Sequence, residues 1–184
     1  MFLDIAFGIF LALWTGAGSG AEGDAFLIVA CIGLTLLPDI DALIELARHG
    51  SVGGKVVREH RELTHFPLLY AAATPLIWLI FGTAWTALFF AATMFHFVHD
   101  SVGVGYGVKW LWPFSPLAHK WFADKTGWWT LSQFHVSWTR EELVAVAAKH
   151  GDTNWIRYCL PITWLGAAEF VPFVGAILLL LASR

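Results

Sequence analysis

Three short runs of this sequence place carboxylates, imidazoles and one guanidinium at spacings that suit metal-ion chemistry. The first is Leu37-Pro38-Asp39-Ile40-Asp41. Proline disfavours helix at the residue before it and fits the first turn of a new helix, so one helix is expected to end near Leu37 and another to begin there. Asp39 and Asp41 do not share a helical face, but at a bend both carboxylates can converge on a cation; helix capping by Asp39 alone is the simpler alternative. The second run, His60-Arg61-Glu62-Leu63-Thr64-His65, sets two imidazoles around a planar guanidinium suited to bidentate contact with phosphate or carboxylate. Here Thr64 is a candidate helix cap, Pro67 fits the first turn, and an interfacial basic anchor is the alternative. The third run is His96-Phe97-Val98-His99-Asp100. His96 and Asp100 stand at i and i+4, project from one helix face and can chelate one ion, while His99 is within a turn of both and suits a ligand, a proton shuttle or a supporting hydrogen bond. A donor set of carboxylate and imidazole without sulfur suits zinc first, and manganese or iron after it.

The elements that must position these groups are membrane spans. Of 184 residues, 58% are hydrophobic and 14% charged, and mean hydropathy is +0.65, against about 25% charged in ordinary soluble domains. With 11 Trp, 15 Phe and 3 Tyr, disorder is excluded. A net charge of -3 with no Lys/Arg run excludes a nucleic-acid footprint. Cys31 and Cys159 lack any Cys-x-x-Cys context and fit simple packing. The expected fold is an all-α polytopic membrane protein, one domain over residues 1–184, with about five transmembrane helices near 2–21, 25–38, 66–81, 84–99 and 162–183. No Asp, Glu, Lys or Arg interrupts Phe66 to His99, a stretch too long for one crossing at about 20 residues, so a helical hairpin is expected to turn at Gly82-Thr83. Pro172 is expected to bend the last span.

Basic residues concentrate in cytoplasmic loops. Arg48, Lys55, Arg58 and Arg61 lie between spans two and three; Lys109, Lys120, Lys125, Arg140, Lys149 and Arg157 lie between spans four and five; Arg184 stands alone at the end. The N-terminus is therefore expected in the cytoplasm, with the short loops at Glu22-Asp24 and Gly82-Thr83 outside. On this orientation all eight histidines fall on the cytoplasmic side or at its membrane edge. Two acids lie within spans: Asp4, one turn into the first and within reach of the clusters, and Glu169, about 12 Å into the last by helix rise. Asp4 joins the candidate ligands, and Glu169 is a ligand, a base or a hydrogen-bond acceptor. A cytoplasmic aromatic segment follows Asp100: Trp110-Leu111-Trp112-Pro113-Phe114, then Trp128, Trp129, Phe134 and Trp138, expected as an interfacial belt. Thr139 to Glu142 fits a capping box for a helix ending near Gly151.

The three runs, in this order and on these spans, resemble the bacterial and archaeal membrane-bound metal-dependent hydrolase family, also called the LexA-binding inner-membrane-associated hydrolase family. Its Pro-Asp-x-Asp element corresponds to Pro38 to Asp41, its His-Arg-x-x-Thr-His-Ser element to His60 to Phe66, and its His-x-x-x-Asp element, with a following glycine and Leu-Trp-Pro-Phe run, to His96 to Asp100, Gly107 and Leu111 to Phe114. Phe66 stands where the family has serine, Gly103 where it has threonine, and Asp4 where many members have histidine. The resemblance implies a divalent metal and hydrolase activity in the inner membrane. The expectation that follows is hydrolysis of a phosphoester in a lipid or other amphipathic substrate at the cytoplasmic membrane face. Asp39, Asp41, His65, His96, Asp100 and Asp4 would hold one or two divalent ions, Arg61 would hold the phosphate, and His60 or His99 would move a proton. The alternatives are a metal or proton transporter using the same groups, and a scaffold docking a cytoplasmic regulator such as LexA on residues 115–160, as the family name implies.

Overall fold

A computed structural model describes residues 1–16, 21–57, 60–151 and 160–183, without the side chains of 21–24. Cys159, Arg58, Arg157 and Arg184 lie outside the described residues, and Glu22 to Asp24, expected in a loop, belong instead to the first turn of a helix beginning at Ala21. The protein is mostly helical: α1 (Phe2–Gly16), α2 (Ala21–Leu36), a 3-10 turn (Leu37–Asp39), α3 (Ile40–His49), α4 (Pro67–Val102), α5 (Arg140–His150) and α6 (Trp164–Ala182), with strands β1 (Ala118–Trp121) and β2 (His135–Trp138) between α4 and α5. Its contacts divide it into two compact units, one of Met1–Leu37, Ala73–His96 and Ile156–Arg184, the other of Pro38–Ala72 and Phe97–Trp155.

Three helical stretches among the described residues are long and apolar enough to cross a membrane, Ala25–His49, Pro67–Val102 and Trp164–Ala182, where about five spans were expected. Of the first expected span, near 2–21, α1 covers Phe2–Gly16, by itself shorter than a crossing of about 20 residues, and residues 17–20 lie outside the described residues. The second helix ends at Leu36 and a new one begins after the 3-10 turn at Pro38, as expected, while the apolar stretch long enough to cross continues from Ala25 to His49. The third and fourth form one helical element, broken where the turn was expected, because Gly82 adopts φ 77° and ψ -179°, which a residue with a β-carbon avoids. Within the first unit α1 packs against α2 and α6. Leu11, Ala12, Cys31, Leu88 and Ala92 close one buried cluster there, and Ala6, Ile9 and Ala176 another.

The second unit holds the antiparallel hairpin, absent from the all-α expectation, with Ala118 opposite Trp138 and Lys120 opposite Val136. Its inward face joins Ala123 and Leu143 in a core. Trp138, expected in the interfacial belt, belongs to this core with 1% exposure, because the register turns it inward. His119 Nδ1 lies 3.1 Å from His135 Nε2 across the ribbon. The capping box of α5 forms as expected, Thr139 Oγ1 accepting from Glu142 N and the Glu142 carboxylate accepting from Thr139 N.

Trp110, Trp112 and Trp129 are partly buried, while other members of the segment are open: Phe114 is 86%, Leu131 73% and Phe134 66% exposed. Large apolar side chains beside membrane spans belong at the headgroup level. Nitroxides on Leu131→Cys and Phe134→Cys, with the native cysteines replaced and the protein in bilayer nanodiscs, should collide more with oxygen than with a water-soluble nickel chelate. Glu141→Cys, on the exposed start of α5, should do the reverse. Nickel access prevailing at 131 and 134 would place the segment in water.

Candidate metal centre

The site of the second unit is organised by Asp41, which is fully buried in the first turn of α3. One carboxylate oxygen, Oδ1, lies 3.0 Å from His60 Nδ1. The other, Oδ2, lies 3.1 Å from His65 Nδ1 and accepts the backbone N–H of Arg61 at 2.9 Å and of Thr64 at 3.3 Å. A single side chain thus binds the whole second run, and it holds Arg61 in a left-handed backbone conformation, φ 65°, that costs a residue with a β-carbon about 1–2 kcal/mol. One helical turn further on, the buried Glu45 accepts the N–H groups of Gly53 and His60, both at 2.8 Å. Thr64 does not cap α4: its hydroxyl donates to the Pro38 carbonyl, and Phe66 takes the cap position without a side-chain bond. Asp39 likewise occupies the α3 cap position without bonding the helix N–H groups.

With Nδ1 turned to Asp41, His65 presents Nε2 to two further carboxylates, 3.4 Å from Asp39 Oδ1 and 3.3 Å from Asp100 Oδ2. Asp41, His60 and His65 each offer a ligand atom within 4.8 Å of the others. Arg61 Nη2 meets Asp100 Oδ1 at 2.7 Å and the Val104 carbonyl at 3.0 Å, while Nη1 reaches the Asp100 carbonyl at 3.4 Å. The structure therefore brings Asp39, Asp41, His60, Arg61, His65 and Asp100 together. The ring of His99 lies against Gly103. Asp4 and His96 form a buried pair in the first unit, Oδ1 to Nδ1 at 3.3 Å. There the Met1 ammonium lies 2.8 Å from Asp4 and 3.3 Å from Glu169.

Sequence reasoning missed Glu45 and Lys120. Glu45 was visible as an i+4 neighbour of Asp41 on α3, whereas Lys120 needed the hairpin register. Burial pushes the imidazolium of His65 down, but its hydrogen bonds to Asp100, Asp39 and Asp41 outweigh this and raise it from 6.5 to about 10. Burial, then the charge of Arg61, lowers Lys120 from 10.5 to about 7 against the pull of Asp100 and Asp124. The two groups act on stability with opposite sign. Between about 6.5 and 10 folded His65 keeps a proton that the unfolded chain loses, so its contribution fades as pH rises. Between about 7 and 10.5 folded Lys120 lacks a proton that the unfolded chain keeps, so stability climbs. Thermal unfolding of metal-free protein in detergent should accordingly vary little over this range. Lys120→Met should become less stable with rising pH and His65→Asn more stable; parallel slopes in the two variants would refute the opposition.

A protein-family model described as YdjM inner membrane protein matches residues 3–181. Comparison with curated proteins and with solved structures gives no match.

Proposed function

The chain belongs to the YdjM inner membrane protein family, and from that premise we propose that it is a divalent-metal-dependent hydrolase, cleaving a phosphoester of a lipid or other amphipathic substrate at the cytoplasmic membrane face. One observation carries the reading: His65 is fixed through Nδ1 by Asp41 and directs Nε2 at the carboxylates of Asp39 and Asp100. A histidine held by a carboxylate on one nitrogen and facing acidic oxygens with the other is the arrangement of a metal ligand and its orienting partner. The donors fit zinc, and manganese or iron after it.

In this reading Asp39, His65 and Asp100 hold the ion, and Asp41, whose oxygens are already engaged by the chain, orients His65 and His60. The ion, when bound, lowers the pKa of a water and stabilises negative charge on phosphoryl oxygens. Arg61 is anchored by Asp100 and Val104 and offers its remaining N–H groups to the phosphate. His60, with Nδ1 on Asp41, moves a proton at Nε2 to the leaving oxygen, and His99 is the alternative donor. The exposed aromatic segment receives a membrane-resident substrate. Protein purified without chelator should carry a stoichiometric divalent ion and hydrolyse bis(p-nitrophenyl) phosphate, losing activity with EDTA and regaining it with zinc. Absence of both ion and hydrolysis would sink the reading.

A second reading, a metal or proton pathway, is favoured by the first unit, where Asp4, His96 and Glu169 are buried polar groups on apolar helices. Zinc or proton uptake into sealed proteoliposomes tests it; the hydrolase reading expects none.

A further inference from the structure

β1 alternates buried and partly buried residues and turns Ala118 and Lys120 inward. Lys120 is 2% exposed, on a face whose other members are Ala118, Val136 and Trp138. A cation in such a place is costly unless its donors and charge are answered. Its Nζ donates to the carbonyls of Gly105 at 2.6 Å and Gly127 at 2.9 Å. An ammonium has three N–H donors, and among the described residues the third has no acceptor and no carboxylate pairs with the charge.

The Gly105 peptide connects this cation to the site. A β-carbon on Gly105, whose φ is 106°, would stand 2.6 Å from Arg61 Nη1. The guanidinium therefore packs on one side of the peptide whose carbonyl takes the ammonium. Two cations meet across one residue, and the carboxylate in electrostatic reach of both, Asp100, is shared with His65. Lys120 thus brings beside Arg61 a donor that no group among the described residues takes up. We propose that Lys120 is a second anion-holding residue of this site, flanking with Arg61 one phosphoryl oxyanion of a phosphoester. This rests on the hydrolase reading and adds to it the group that answers Lys120.

Calorimetric titration with inorganic phosphate at about pH 6, where Lys120 keeps its proton, on the full chain in phosphatidylcholine nanodiscs, tests it with Lys120→Met, Lys120→Gln, Lys120→Arg and Arg61→Met. Met and Gln should each weaken phosphate binding about tenfold, as loss of a charge-assisted bond does. Arg should stay within about threefold of wild type, and zinc affinity should be unchanged in all three Lys120 variants. Gln can still donate to the Gly105 and Gly127 carbonyls, so recovery of wild-type binding by Gln reduces Lys120 to a structural hydrogen-bond donor and overturns the proposal. Unchanged binding in Met and Gln with loss in Arg61→Met overturns it while leaving the hydrolase reading standing. Wild-type protein that binds no phosphate overturns both. In nanodiscs matched for charge, competition by phosphatidic acid beyond that of phosphatidylglycerol supports a lipid headgroup as the source of the anion. Equal affinity in the two supports a soluble phosphate.

Discussion

Asp100→Ala should leave the purified protein without its divalent ion and without phosphoester hydrolysis. The expected loss is about a hundredfold in metal affinity and on the order of 10³-fold in kcat/KM. The two oxygens of Asp100 do different work: Oδ2 faces His65 Nε2 at 3.3 Å, and Oδ1 holds the Arg61 guanidinium at 2.7 Å. Under the hydrolase reading, removing the carboxylate deletes a ligand and frees the group that holds the phosphate; in any case it leaves the largely buried Arg61 and His65 without the carboxylate both meet. Breaking such a pair typically costs about 3–5 kcal/mol, so the variant should also melt earlier. Asp100→Asn keeps the size and hydrogen-bonding shape without the charge, and should lose the ion and the activity with less loss of stability. Metal analysis, hydrolysis of bis(p-nitrophenyl) phosphate and a thermal melt on each variant decide the matter. Normal metal content and turnover in both would end the case for a metal centre here.

Asp41→Asn should instead be the substitution that damages the fold most. Asp41 is 0% exposed and meets two backbone N–H groups and two imidazoles. An amide replaces one of its acceptor oxygens by a donor and removes the charge, so either the N–H groups of Arg61 and Thr64 meet a donor, or His60 must shift to the tautomer that accepts at Nδ1 and every bond to the residue loses its charge assistance. Loss of charge-assisted bonds at about 1.5–3 kcal/mol each puts the expected destabilisation at several kcal/mol. The left-handed backbone of Arg61 loses its anchor at the same time, and metal affinity falls with stability. Asp39 gives the contrast. Its side chain is 28% exposed and it forms no cap bond, so Asp39→Asn should cost metal affinity and leave the melting temperature within a few degrees of wild type. Should Asp41→Asn melt with wild type, the organising role assigned to Asp41 is wrong.

What the sequence disclosed follows from how local each signal is. Pro38 marks a change of helix, an uncharged run of excess length must break at its glycine, and Thr139 with Glu142 forms a reciprocal cap; each depends on neighbours within a few residues. The convergence of Asp39, Asp41, His60, Arg61, His65 and Asp100 was legible from chemistry, since polar groups at span ends gain by meeting. How Asp41 is held was not. Asp41 was expected as a ligand and stands at ligand spacing with His60 and His65; its Oδ2 also takes two backbone N–H groups of the second run, a bond set fixed by the path of the chain between α3 and α4. Thr64 found the Pro38 carbonyl in place of a helix end for the same reason. Lys120 and Trp138 were read as a loop charge and a belt aromatic because strands of four residues carry little periodic signal. Only pairing register turns both inward.

Asp41, His60, Arg61 and His65 are tied together, and to Glu45, by hydrogen bonds within the chain. Under the hydrolase reading the ion would not be the sole support of the cage, so loading is tied to folding less tightly than in a zinc finger. A cage of carboxylates and imidazoles ranks divalent ions by intrinsic affinity, copper and nickel above zinc and manganese below it. Which ion the protein carries in the cell is then decided by supply at the membrane, and overproduction in metal-supplemented medium should yield protein bearing whatever ion was added.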